Sequence, residues 1–207
     1  MGTRHLIAVH SDGEYKVAQY GQWDGYPEGA GLDVLNFLHT DKVTKIKENL
    51  KRVRFLDTEG RDKELVEGYN SRAPKWSNEP DNRTEEEKYW WDKYMSRDVG
   101  ADILHNVADS NDDEILLNDS IDFVKDSLFC EWAYVVDFDK NTFEIYRGFN
   151  QAPLTEDERF FEWGVGSDDP ADNGYEPVRH LITYSLDKLP TSDEYLTEFR
   201  VMEGDEE

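Results

Sequence analysis

An Asp-Gly pair at positions 12 and 13 separates two runs rich in β-favouring residues, His5 to Ser11 and Glu14 to Tyr20. Asp-Gly supplies the positive φ angles that a two-residue hairpin turn needs, so this stretch specifies a β-hairpin. A second hairpin follows much later, Glu131 to Asp139 and Thr142 to Gly148 around Lys140-Asn141, and Val178 to Leu186 reads as a further strand. Between the hairpins the chain reads as helical. The spans are Leu32 to His39, a helix opened by Thr40 with Val43, Ile46, Leu50 and Val53 at near-helical spacing, Arg61 to Tyr69, Thr84 to Arg97, Ala101 to Ala108, and Ser120 to Leu128. Thr84 with Glu87, and Thr191 with Glu194 before a last helix, have capping-box spacing. Hairpins at both ends with helices between them specify an α+β fold with a mostly antiparallel sheet and helices packed on it. No repeat or linker interrupts the chain, so one domain is expected over residues 1–202, followed by a disordered acidic tail, 203–207.

Charge narrows the partners. The 207 residues carry a formal net charge of −24, which argues against direct binding to nucleic acid or to an anionic membrane. It leaves a heavily solvated surface, adaptation to salt, or imitation of a phosphate backbone. Six Trp, eleven Tyr and ten Phe require a folded core. One segment runs against the trend: Asp41 to Leu56 holds six basic and two acidic residues, a basic helix expected to pair with acidic neighbours inside the fold. Cys130 is the single cysteine, so no internal disulfide can form. No apolar run approaches the roughly 18 residues of a membrane span. The opening residues read as neither a signal peptide nor a myristoylation site, because Leu6 stands where Ser or Thr is wanted. The expectation is a soluble cytoplasmic protein.

The stretch with most chemical potential is QYGQWDGYPEGAG, Gln19 to Gly31. It joins the first hairpin to a helix. Gly29 and Gly31 permit backbone approaches that a side chain would block. The helix start offers free N–H groups to an anion. Gln19, Gln22 and Asp24 can direct hydrogen bonds, and Tyr20, Trp23 and Tyr26 can stack on a ring. With Arg4 to meet an anionic group, the candidate ligand-binding set is Arg4, Gln19, Tyr20, Gln22, Asp24, Tyr26, Gly29 and Gly31. The glycine spacing matches neither a Walker loop nor the dinucleotide fingerprint.

MGTRHLIAV followed by DGEYKVAQYGQWDGYPEGAG resembles the start of a family of small uncharacterised proteins from fungi, bacteria and phages. These share a G-T-R opening and a Q-Y-x-Q-x-D-G-Y-P-x-G-x-G segment. The likeness is looser at Trp132 to Phe149 and stops in the middle of the chain. It implies a shared site without naming its chemistry.

Three functional readings follow. The leading one is an acidic binding protein whose loop 19–31 takes a small anionic or aromatic ligand, or a protein partner, with no cofactor. A second is an amidohydrolase using Thr3 as a processed N-terminal nucleophile. A third is a nucleic-acid mimic or inhibitor of viral origin. Cys130 as a nucleophile with His5, His10, His39, His105 or His180 as base is disfavoured, because the cysteine enters an apolar strand. The D-x-D-x-N run at Asp137 lacks the Gly and Glu of a calcium loop, so no metal site is expected there. The acidic runs Asp109 to Glu114 and Asp168 to Asp172 read as solvated loops. Oligomeric state is not fixed by these residues.

Overall fold

Asp12 and Gly13 take φ angles of 57° and 81°, the turn geometry their sequence specifies. The computed structural model describes residues 2–76, 78–164 and 173–203. In chain order its elements are β1 (His5–Ser11), β2 (Glu14–Gly21), α1 (Leu32–Leu38), α2 (Lys42–Asn49), β3 (Val53–Phe55), α3 (Lys63–Arg72), α4 (Glu85–Trp90), α5 (Asp102–Ala108), β4 (Ile115–Leu117), β5 (Trp132–Asp137), β6 (Thr142–Arg147), β7 (Arg179–Ser185) and α6 (Ser192–Glu203). The main sheet has the order β2-β1-β5-β6-β7. Both hairpins therefore lie in one sheet, as expected of this α+β fold. Its pairings are antiparallel except where β1 meets β5, with Ile7 opposite Tyr134.

Strand alternation divides the core into two layers. Ile7, Val9, Tyr134, Val136, Phe143 and Ile145 face the helices, where Val34, Leu35 and Phe37 of α1, Ile46 of α2, Ile103, Leu104 and Val107 of α5, and Tyr195 and Phe199 of α6 cover them. Leu6, Ala8, Ala133, Val135 and Tyr146 face the other way, onto Val124, Cys130, Leu154, Phe160 and Val178 from irregular segments. Strand β5 is buried at every residue because both layers claim it.

Three of the helical spans are shorter than their sequence spacing suggests. After α2 the chain tightens into one turn, Leu50–Arg52, and Val53 opens a strand that pairs in parallel with β4. Val53 is buried at its helical spacing, but as a strand residue. The span from Thr84 stops being a regular helix at Trp90, and Trp91–Met95 form a wider turn. Trp90 and Trp91 both pack on Tyr69, one edge-on at 5.8 Å and the other stacked at 4.9 Å. Ser120 to Leu128 yields a single turn, Ile121–Lys125. The tail from residue 204 and the acidic run Asp168 to Asp172 lie outside the described residues.

Local chemistry holds what the sequence marked. Glu87 N donates to Thr84 Oγ1 at 3.2 Å and Thr84 N donates back to Glu87 Oε2 at 2.8 Å. Thr191 and Glu194 repeat the arrangement before α6. Thr84→Ala is expected to cost about 1 kcal/mol, read as a lower urea midpoint. Two residues of the basic segment pair with acids within the fold: Lys42 reaches Asp109 at 2.5 Å, and Arg54 donates to Asp62 at 2.8 Å and to Glu114 at 3.0 Å.

Candidate functional site

The glycine-rich loop is a folded strap whose amides are taken up by its own carbonyls and by those of Thr3 and Arg97. Asp24 takes φ 52° and reverses the chain. Gly25 N donates to Thr3 O at 2.9 Å, Gly29 N to Tyr26 O at 3.0 Å, and Ala30 N to Asp24 O at 2.8 Å. The Leu32 amide finds the Gly29 and Pro27 carbonyls. The sequence suggested amides free for an anion; the loop instead wraps onto them, and Pro27–Gly31 form a turn continuous with α1. Close approach fixes the composition at Gly25, where a Cβ would stand 2.6 Å from Thr3 O and 2.7 Å from His5 Cβ. Tyr134, fully buried, donates its hydroxyl to Gly25 O at 2.8 Å and ties the strap to the sheet.

The eight candidate residues do not form one cluster. Arg4 lays its guanidinium over Phe129, 4.4 Å from the ring centroid, and does not line the cavity described below. Tyr20 donates to Gln22 Oε1 at 2.7 Å and sets its ring against Phe123. Gln19 is buried, its amide donating to Tyr20 O at 2.9 Å and Ser96 O at 3.1 Å. Tyr26 is exposed and donates to Asp24 Oδ1 at 3.2 Å. Gly29 sits inside the turn and Gly31 packs against Tyr134 and Tyr195. Asp24 alone of the eight reaches the cavity beneath the strap. Thr3 is half-buried, engaged through its carbonyl, and also outside that cavity.

The cavity has a volume of about 250 Å³, room for about eight waters. His5, Trp23, Asp24, Asp33, Asp98 and Asp102 line it, with the Val99–Ala101 backbone closing one side. His5 is 1% exposed, and neither ring nitrogen makes a hydrogen bond of good geometry, although the Thr3 backbone lies near enough to favour the protonated ring. Burial pulls its pKa down to about 4, with the Thr3 backbone and the Asp24 charge pulling the other way. The ring is therefore neutral at physiological pH, with one nitrogen a donor and the other an acceptor. Gly100 takes φ 50°, the left-handed backbone that favours glycine, and lies in ordinary contact distance of the His5 ring edge. Trp23 is pinned by donating Nε1–H to Asp98 Oδ1 at 2.7 Å. Burial, then the charges of Asp102 and Asp24, raise the Asp33 carboxyl above its ordinary value.

His5, Asp33, Asp98 and Asp102 were not among the sequence candidates for this site. Three of them reach the cavity from α1, from the α4–α5 connection and from the start of α5, which only the tertiary fold brings to the loop. A signal for His5 lies in the pairing, because β1 sets it opposite Gly21 and a Cβ on Gly21 would lie 2.2 Å from the imidazole.

The remaining titratable clusters have internal roles. His10 Nδ1 lies 3.1 Å from Asp139 and 3.6 Å from Asp137, the spacing of a possible ion site. Yet Asp139 accepts Asp12 N and Gly13 N, each at 2.9 Å, while Asp137 accepts Asp139 N and Lys140 N and pairs with Arg159. Those carboxylates lock the two hairpin turns together. Cys130 is fully buried and burial pushes its thiol well up, as befits a core residue. Grooves of about 610 Å³ along α6 and about 580 Å³ beside Trp90 are larger, but no lining residue in either is a buried polar group without a partner. Among the described residues no helix is long and apolar enough to cross a membrane. No protein-family model matches the chain, and comparison with curated proteins and with solved structures finds no match in either.

Proposed function

We propose that this protein binds a small molecule in the cavity beneath the loop, with His5 as its central polar contact. The observation that carries this reading is the buried His5 ring, which lines the cavity while its nitrogens make no hydrogen bond of good geometry. An unsatisfied buried polar group costs about 1–3 kcal/mol. A ligand reaching the ring recovers that cost on binding.

The test compares native masses after incubation with the small-molecule fraction of a cell extract. The expected result is an adduct on the wild type that is absent from His5→Leu and from Asp24→Asn. An adduct indifferent to both substitutions, or none on the wild type, overturns the reading. Asp24→Asn is expected to keep the wild-type urea midpoint, because asparagine tolerates the left-handed backbone at φ 52°.

A further inference from the structure

The geometry points to an organic cation, an ammonium or guanidinium compound, as the ligand of the His5 cavity. This inference rests on the reading of the cavity as a ligand site and adds the chemical class.

Four carboxylates line the cavity, from Asp24, Asp33, Asp98 and Asp102, and among the described residues no lysine or arginine does. Acidic clusters are common on a chain of this charge. This one differs because an unpartnered imidazole, 1% exposed, lies at its wall. The carboxylates stand near enough for the charges of Asp24 and Asp102 to bear on Asp33. A bound cation relieves that repulsion and an anion adds to it. The neutral imidazole supplies an acceptor for an N–H donor without competing for the carboxylates.

A single metal ion fits less well. Among the described residues, the group whose carboxylate and imidazole ligand atoms all lie within 4.8 Å of one another is His10, Asp137 and Asp139, on the hairpin turns. The cavity acids are spread around a larger space, which suits a cation that distributes several N–H donors. Trp23, fixed by its bond to Asp98, adds an aromatic side chain to the lining, a residue type that organic cations favour.

The experiment is a calorimetric titration of the full chain at pH 7.5 with four matched probes and one metal: n-butylammonium, butylguanidinium, 1-butanol, butyrate and Mg²⁺. Saturable binding is expected for the two organic cations and for neither butanol nor butyrate. Replacing Asp33 and Asp102 together by Asn is expected to weaken that binding about tenfold or more, the scale of losing charge-assisted hydrogen bonds. His5→Leu is expected to weaken it similarly. Butyrate or butanol binding that requires His5 overturns the cation class and leaves the site standing. Mg²⁺ binding in place of the amines overturns it in favour of a metal. No binding by any probe overturns the cation class; if His5→Leu is then also markedly less stable than the wild type, the site itself falls with it.

Discussion

Arg159→Leu is expected to lower the unfolding free energy by about 3–5 kcal/mol, the scale of breaking a buried ion pair from one side. The Arg159 side chain is 8% exposed, and its partners Asp137 and Glu144 are 0% and 8% exposed. Arg159 Nε donates to Glu144 Oε2 at 2.7 Å and Nη2 to Glu144 Oε1 at 2.9 Å, while Nη2 also meets Asp137. Burial alone would raise the Glu144 carboxyl, but Arg159, Tyr146 and Thr142 outweigh it and hold it at about 2. Removing the guanidinium strands two carboxylates in the layer behind the sheet. Adding Asp137→Asn and Glu144→Gln to Arg159→Leu is expected to restore part of the loss, since a neutral buried set carries no uncompensated charge. The pair also sets an acid limit. Because the folded Glu144 pKa lies below the ordinary 4.5, its contribution is present above pH 4.5 and is lost as the pH falls towards 2. Urea midpoints of the three chains at pH 7 measure the first effect. A drop of under about 1 kcal/mol for Arg159→Leu, the range of surface pairs, contradicts it.

A second loss of stability is expected at milder acidity, from His5. Its folded pKa of about 4 lies below the ordinary 6.5, so the unfolded chain takes up the proton first. Above pH 6.5 both states are neutral and the group contributes no pH dependence. As the pH falls from 6.5 towards 4 the fold loses up to about 3 kcal/mol on this account. His5→Leu removes the titrating group, so the difference between wild type and His5→Leu changes across that window and is flat above it. The Glu144 window lies lower, which keeps the two effects apart. Urea unfolding at pH 7.5 and 4.5 on both chains reads the difference. Equal losses in the two chains contradict a buried neutral His5.

How far the sequence speaks depends on the range of the chemistry involved. Asp12-Gly13, Thr84 with Glu87, and Thr191 with Glu194 act over four residues or fewer, and each did in the fold what its spacing implied. Three-residue strands carry no period, so in sequence β3 reads as the end of the preceding helix and β4 gives no signal. The loop was legible as a special place, through its glycines. Its polarity was not: read alone it ends in a helix start that invites an anion, whereas the fold consumes those amides and imports Asp98 and Asp102 from the α4–α5 side. A single step along the chain separates Arg4, laid over Phe129, from His5, turned into the cavity. Such a step changes the chemistry offered to a ligand from a guanidinium to a neutral imidazole among carboxylates.

The central claim is that His5 is kept for a ligand and not for the fold. Urea unfolding of the wild type and His5→Leu at pH 7.5, with no ligand added, tests it most directly. The account predicts that His5→Leu is as stable as the wild type or more so, because two unpartnered buried nitrogens give way to an apolar side chain. A loss of about 2 kcal/mol or more, the scale of a disrupted core position, would contradict it.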